Sequence, residues 1–134
     1  MILKINHIAI AVSDLDEAAN HLGSSIGLTE LHREEVAEQK VKTASFQVGE
    51  SNIELVSPTE PASPVGKYIE AKGEGIHHIA LEVEDIESTL KTLKDKGVRL
   101  INETSRIGAG GHKIAFLHPK ANHGVLIELV EPKK

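Results

Sequence analysis

His78-Ile79-Ala80-Leu81-Glu82-Val83-Glu84-Asp85 decides the fold, because the chain has already written it once as His7-Ile8-Ala9-Ile10-Ala11-Val12-Ser13-Asp14. The second copy starts 71 positions after the first, residue 78 against residue 7. Nearby, Ile53-Glu54-Leu55-Val56-Ser57-Pro58 returns as Ile127-Glu128-Leu129-Val130-Glu131-Pro132, 74 positions later, residue 128 against residue 54. Two matched pairs at nearly one offset mark an internal duplication.

Each copy opens on a strand histidine and closes on a strand glutamate. Strand side chains alternate between faces, so His7 shares a face with Ala9 and Ala11 while Ile8, Ile10 and Val12 point the other way. His78 behaves alike, and Glu54 and Glu128 are each flanked by aliphatic residues on the opposite face. Two imidazoles and two carboxylates on one sheet face form a mixed nitrogen and oxygen set. Such a set suits a borderline divalent ion. A shared site for cobalt, or for zinc, nickel or manganese, is therefore expected at His7, Glu54, His78 and Glu128.

The composition bounds the rest. Its 134 residues and 40% hydrophobic content suffice for one core, so the duplication is expected to divide a single domain, 1–134, into two half-modules. No apolar run approaches the length of a membrane span, and the start of the chain is too short for a signal peptide. A cytoplasmic protein is expected. The absence of cysteine removes disulfide frameworks, thiolate chemistry and zinc fingers. A formal charge of −5 and only three aromatics, Phe46, Tyr68 and Phe116, argue against a nucleic-acid partner.

The first strand is expected over about 4–12. Asp14 with Glu17 reads as a helix start, Leu15, Ala18, Ala19, Leu22 and Ile26 form an apolar stripe, and Gly23 and Gly27 end it. Strands follow at 29–33, 41–48 and 52–57, with a turn at 49–51. The Pro-rich stretch 58–64 reads as a linker, followed by a short helix near 65–71. The second module carries a helix over about 85–96, stopped by Gly97, and strands at 98–102, 113–117 and 125–131. The fold class is α+β: two tandem βαβββ modules, about 4–58 and 74–132, whose sheets curve into a half-open cup with the histidines and glutamates inside.

At this point the chain resembles the vicinal oxygen chelate (glyoxalase-type) superfamily and, within it, the methylmalonyl-CoA epimerase family. The resemblance is carried by Asn6-His7-Ile8-Ala9, by residues 30–35, by Gly75-Ile76-His77-His78-Ile79-Ala80, and most specifically by residues 108–120 with 124–129. It implies that His7, Glu54, His78 and Glu128 are the metal ligands. It also implies an isomerase that interconverts the (R) and (S) forms of a coenzyme A thioester at C2 through a metal-stabilised enolate. Epimerisation needs a proton-transfer group on each face of the carbon. The resemblance implies Glu128 as the first such group, since the C-terminal strand glutamate of relatives acts as a base as well as a ligand. Some relatives have a glutamate where this chain has Thr43, which cannot act as a base near neutral pH. Glu54, a metal-bound water or Gln39 orienting water are the alternatives for the second.

Glu54 also departs from some epimerases, which carry glutamine there. The four-ligand set fits lactoylglutathione lyase as well, and residues 108–120 favour the epimerase. A non-catalytic binding protein of the same fold would need no metal set and would line its cup with aromatics. A ring-cleaving dioxygenase would leave Glu54 surplus. The cluster 108–111 reads as a hairpin connection, and also as a lip placing Gly110, Gly111, His112 and Lys113 beside the substrate. Lys113, Lys120 and Arg106 form the most basic stretch and could receive coenzyme A phosphates. His118 could line the substrate mouth. His77 is expected to point toward the helix layer, and His21, His32 and His123 to lie at the surface. A homodimer is expected by analogy, with Ile5 and Ile10 as apolar surface.

Overall fold

Strand β1 (Ile2–Ala11) is the first element of a computed structural model that describes residues 1–134. Contacts group the chain into a His7 unit, His7–His77, and a His78 unit, Met1–Asn6 with His78–Lys134. The boundaries fall inside β1 and inside β5 (Gly75–Val83), not in the Pro-rich segment.

In the His7 unit β1 is followed by α1 (Leu15–Asn20), β2 (Thr29–Val36), β3 (Val41–Val48), β4 (Ser51–Pro58) and α2 (Pro64–Lys72). The strands lie in the order β2-β3-β4-β1, antiparallel except for the parallel pair β1 and β4. Asp14 caps α1 by accepting from the Glu17 N–H at 3.1 Å. Of the two glycines expected to end the helix, Gly27 does so and Gly23 does not. The helix widens into a π-helical stretch, His21–Ile26, and ends at Gly27, whose φ of 93° favours glycine. A Cβ at Gly23 would meet only ordinary contacts at 3.9 Å, so nothing there breaks the helix.

Alternation on the strands gives each face its own core. Val12, Ala44, Phe46 and Leu55 pack against Leu15, Ala18, Ala19 and Leu22 of α1 and its extension. Ile10 belongs to this cluster, and so is not the free apolar surface the sequence suggested. Ala9, Ala11, Val41 and Val56 pack on the other side with Val65, Tyr68 and Ile69 of α2. Fully burying Phe46 or Leu55 contributes about 1.5–3 kcal/mol each. β2 runs three residues further than the expected 29–33, because the ladder to β3 continues through Glu34, Glu35 and Val36.

The His78 unit repeats the plan: β5, α3 (Ile86–Asp95), β6 (Arg106–Ile107), β7 (Lys113–Leu117) and β8 (Ile127–Glu131). With the start of β1 the strand order is β1-β5-β8-β7-β6, and β5 runs parallel to β8. Asp85 caps α3 through the Ser88 N–H at 3.1 Å, the duplicate of the Asp14 cap. Val83, Ile86, Leu90, Ala115, Leu117 and Leu129 form the core on the α3 side. The expected strand 98–102 is not one. Only Leu100 bridges β7, while the Ile101 and Asn102 N–H groups both donate to the Phe116 carbonyl, which an extended ladder would not allow. The second strand of this copy is the two-residue β6 instead, and β8 starts at Ile127, later than the expected 125. Both copies are βαβββ, and no helix is long and apolar enough to cross a membrane.

Candidate functional site

Each unit brings one histidine of the duplicated motif to one glutamate. In the His78 unit the parallel register Ala80↔Glu128 sets β5 beside β8, and His78 Nε2 lies 3.2 Å from Glu128 Oε1. In the His7 unit Ala9↔Glu54 is the equivalent register, and His7 Nε2 lies 3.9 Å from Glu54 Oε1. His7, His78 and Glu128 are all buried, at 8%, 6% and 5% exposure.

These donors fit a divalent cation. Two ligand atoms at about 2.1 Å from one ion and at right angles lie roughly 3 Å apart, so the His78 pair already has the spacing of adjacent ligands. The His7 pair is wider. Imidazole nitrogen with carboxylate oxygen suits cobalt, nickel, zinc and manganese alike. A buried carboxylate without a cation or strong donor beside it is costly.

The pairs differ in their neighbours. Across the ladder from Glu128 stands Phe116, whose ring meets the His78 ring edge to face at 5.5 Å. Across from Glu54 stands Ser45. Two residues along, on the same face, Val130 pairs with Ile114 while Val56 pairs with Thr43. Thr43, which stands where some relatives have a glutamate, is buried at 4% and lies on the face of Glu54.

The glycine segment is a hairpin connection between β6 and β7, as expected. Gly110 and Gly111 have φ of 71° and 77°, which glycine adopts at little cost. A Cβ on Gly110 would also come within 2.9 Å of His112 Nε2. The Gly111 N–H donates to the Gly108 carbonyl at 3.1 Å, and His112 Nδ1 accepts from the Lys133 N–H at 2.8 Å. These two groups therefore have internal partners. Lys113 lies 3.8 Å from Glu131.

Lys113 opens β7 and Lys120 lies past its other end, so the two do not form one patch. Lys120 instead meets two cations the sequence reading passed over. It lines an open cleft of about 450 Å³ together with Lys96, Gly97, Val98, Arg99 and Ala121. The signal was present in Lys94-Asp95-Lys96-Gly97-Val98-Arg99, as basic as the stretch that was singled out. His118, beside this cleft, accepts from the Lys120 N–H through Nδ1 at 3.1 Å. Desolvation, then the charges of Arg99 and Lys120, hold its imidazole below the ordinary histidine value.

The remaining histidines fall where expected. The His77 ring packs against Tyr68 of α2 at 4.7 Å. His21, His32 and His123 are exposed.

Residues 6–116 match the family model of the Glyoxalase/Bleomycin resistance protein/Dioxygenase superfamily. The uncharacterized protein YqjC of Bacillus subtilis is 44% identical over 97% of this chain and 93% of its own length. The mitochondrial methylmalonyl-CoA epimerase of Dictyostelium discoideum is 39% identical over 96% of this chain and 78% of its own. A Streptomyces coelicolor methylmalonyl-CoA epimerase variant, solved in complex with 2-nitronate-propionyl-CoA, is 38% identical and superposes with a TM-score of 0.96 over 100% of both chains. At that likeness over the whole chain, the α+β glyoxalase-type fold expected from the duplication holds. The chain belongs to the glyoxalase/bleomycin resistance/dioxygenase superfamily, among the methylmalonyl-CoA epimerases.

Proposed function

We propose that this chain interconverts the two C2 epimers of methylmalonyl-CoA, with a divalent cation held jointly by His7, Glu54, His78 and Glu128. The observation that carries the proposal is the recurrence of a His–Glu pair at the same register in both copies, in a chain matched end to end by proteins so named. Cobalt is the first choice of ion. The bound cation would supply positive charge beside the oxygen that becomes negative when C2 loses its proton.

The chain's own groups do the rest. Glu128 takes or returns the C2 proton on one face of the carbon. Glu54 holds its place in the ligand set and stays on the more open side. Lys96, Arg99 and Lys120 around the cleft receive the phosphates of coenzyme A. The Gly110–Gly111 lip, with His112 and Lys113, borders the path of the acyl chain. Residues 1–134 work as one domain in the cytoplasm. The exposed apolar start of β1, with Ile2, Leu3 and Ile5, serves a homodimer.

Deuterium wash-in tests this directly. Methylmalonyl-CoA is incubated in heavy water with metal-stripped protein and with the same protein reloaded with cobalt, and C2 is followed by mass spectrometry and by epimer analysis. Metal-dependent wash-in with interconversion is expected. No wash-in under any ion would overturn the assignment. The four-donor set favours one second reading, lactoylglutathione lyase, whose test is turnover of the glutathione hemithioacetal of methylglyoxal.

A further inference from the structure

Epimerisation requires proton transfer on both faces of C2, and the proposed ligand set contains only one group assigned to that task. A second one must be a side chain able to hold a proton, on the same sheet face as the ligands and reachable by substrate. The register of the His7 unit identifies such a group. Glu34 in β2 is the ladder partner of Thr43 in β3, and Thr43 is the partner of Val56 in β4, two residues from Glu54. Directly paired side chains share a face. Glu34, Thr43 and Val56 therefore form one row across the sheet, and His32, Ser45 and Glu54 the next.

That placement depends on an irregularity. The pairing skips a residue between Glu30 and His32, leaving Leu31 as a bulge. With the bulge, Glu30 and Arg33 share the α1 face, where Arg33 donates to Glu30 at 2.6 Å and to Asp16 at 2.7 Å. His32 and Glu34 are thereby turned to the ligand face. His32 Nε2 and Glu34 Oε1 lie 3.0 Å apart, and the Glu34 side chain is 28% exposed, shielded yet accessible. Two strand spacings put its backbone roughly 10 Å from β4, outside the distance at which a side chain would join the ligands without displacing Thr43.

The duplicate supplies the control. By the same register, Arg106 in β6 pairs with Ile114, which pairs with Val130. Where the His7 unit has Glu34 and Thr43, the His78 unit has a guanidinium and an aliphatic side chain. An acid able to exchange its proton occurs at this row in one copy only. On the same hairpin, Gln39 Nε2 is buried with no hydrogen-bond partner, a polar atom that the fold itself does not use.

We propose that Glu34 is the second proton-transfer group, acting on the face of C2 opposite to Glu128. The proposal rests on the epimerase reading above. In one direction the C2–H bond breaks, its proton passes to the Glu34 carboxylate, and the electron pair is delocalised into the thioester carbonyl. A proton from the opposite group then forms the new C2–H bond, and exchange with water resets both carboxyls. The step is redox-neutral and needs no co-reactant.

The test separates exchange from inversion. Metal-loaded E34Q is compared with wild type in heavy water, starting from each pure epimer. Loss of a general acid or base costs about 10²–10⁴-fold, and a fall of that size in interconversion is expected. One epimer, whose C2 proton faces the surviving group, should still exchange with retention at a rate near that of wild type. The double variant E34Q/T43E, which returns a carboxylate from the adjacent strand, should recover at least tenfold in interconversion. Interconversion by E34Q at the wild-type rate would overturn the proposal. So would a parallel loss of exchange from both epimers with no recovery in E34Q/T43E. Absence of exchange in the wild-type protein would instead count against the epimerase reading itself.

Discussion

The two histidine–glutamate pairs descend from one motif, yet their surroundings have moved apart. The His78 pair is closed: its atoms are 3.2 Å apart, both side chains are 7% exposed, and Phe116 stands against the imidazole. The His7 pair is open: 3.9 Å, exposures of 10% and 16%, and Ser45 where the other copy has phenylalanine. The edge strands differ in the same sense. β2 has eight residues and carries His32 and Glu34 onto the ligand face in successive rows, whereas β6 has two residues. Duplication has kept the donors in both copies and left one unit to hold them firmly and the other to present polar groups beside them.

The largest break in this comparison comes from the histidines. In metal-free protein, H78A leaves Glu128 buried beside an empty space and is expected to lower unfolding free energy by roughly 2–3 kcal/mol. H7A should cost about 1 kcal/mol, because Glu54 keeps more solvent. Denaturant unfolding of both variants measures the difference, and equal losses would remove the asymmetry. With metal present, either variant should lose interconversion by at least roughly 10²-fold.

Exchanging the ladder neighbours sharpens the same point. F116A opens the closed pair and is expected to cost about 2–3 kcal/mol, below the fully buried range because Phe116 is only partly buried. S45F overfills the open one, at roughly 1–3 kcal/mol, and should weaken metal binding measured by calorimetry.

A smaller effect distinguishes how each copy ties its helix. In the His7 unit the Arg33 guanidinium holds the Glu30 carboxyl below its ordinary value. In the His78 unit hydrogen bonds from Ser105 do the same for Glu87. A carboxyl lowered in the folded state stabilises above its unfolded value of 4.5 and loses that contribution as pH falls through the folded value. Both sites are solvent-screened, so E30Q and E87Q should each cost about 0.5 kcal/mol or less at pH 7. The differences from wild type should vanish in acid, as thermal melts at several pH values would show.

The smallest is spectroscopic. His118 should titrate below 6.5 by NMR, and its midpoint should rise when a coenzyme A phosphate occupies the cleft and offsets Arg99 and Lys120. An unchanged midpoint with coenzyme A bound would place the phosphates elsewhere.

Much of this was legible because duplication shows directly in sequence. His7 with His78 and Glu54 with Glu128 stand out in the sequence alone, and β3 and β7 have the bounds that alternation predicts. The failures have physical causes. Glu34 and Glu35 look like loop, since their place in β2 comes from ladder partners rather than from their own propensity. The bulge at Leu31 reverses which residues share a face, and period-two reading does not anticipate it. Residues 98–102 alternate like a strand, but their N–H groups converge on one carbonyl. Lys96 and Arg99 were missed because only the turn after α3 brings them to Lys120.

Metal stoichiometry tests the central claim most directly: that two pairs, one per copy, serve one ion. Stripped protein titrated with cobalt and followed by calorimetry and by the cobalt absorption bands should bind one ion per chain, and H7A and H78A should each abolish that single event. Two ions per chain, or cobalt binding that survives loss of either histidine, would show that the pairs act separately and would contradict the account.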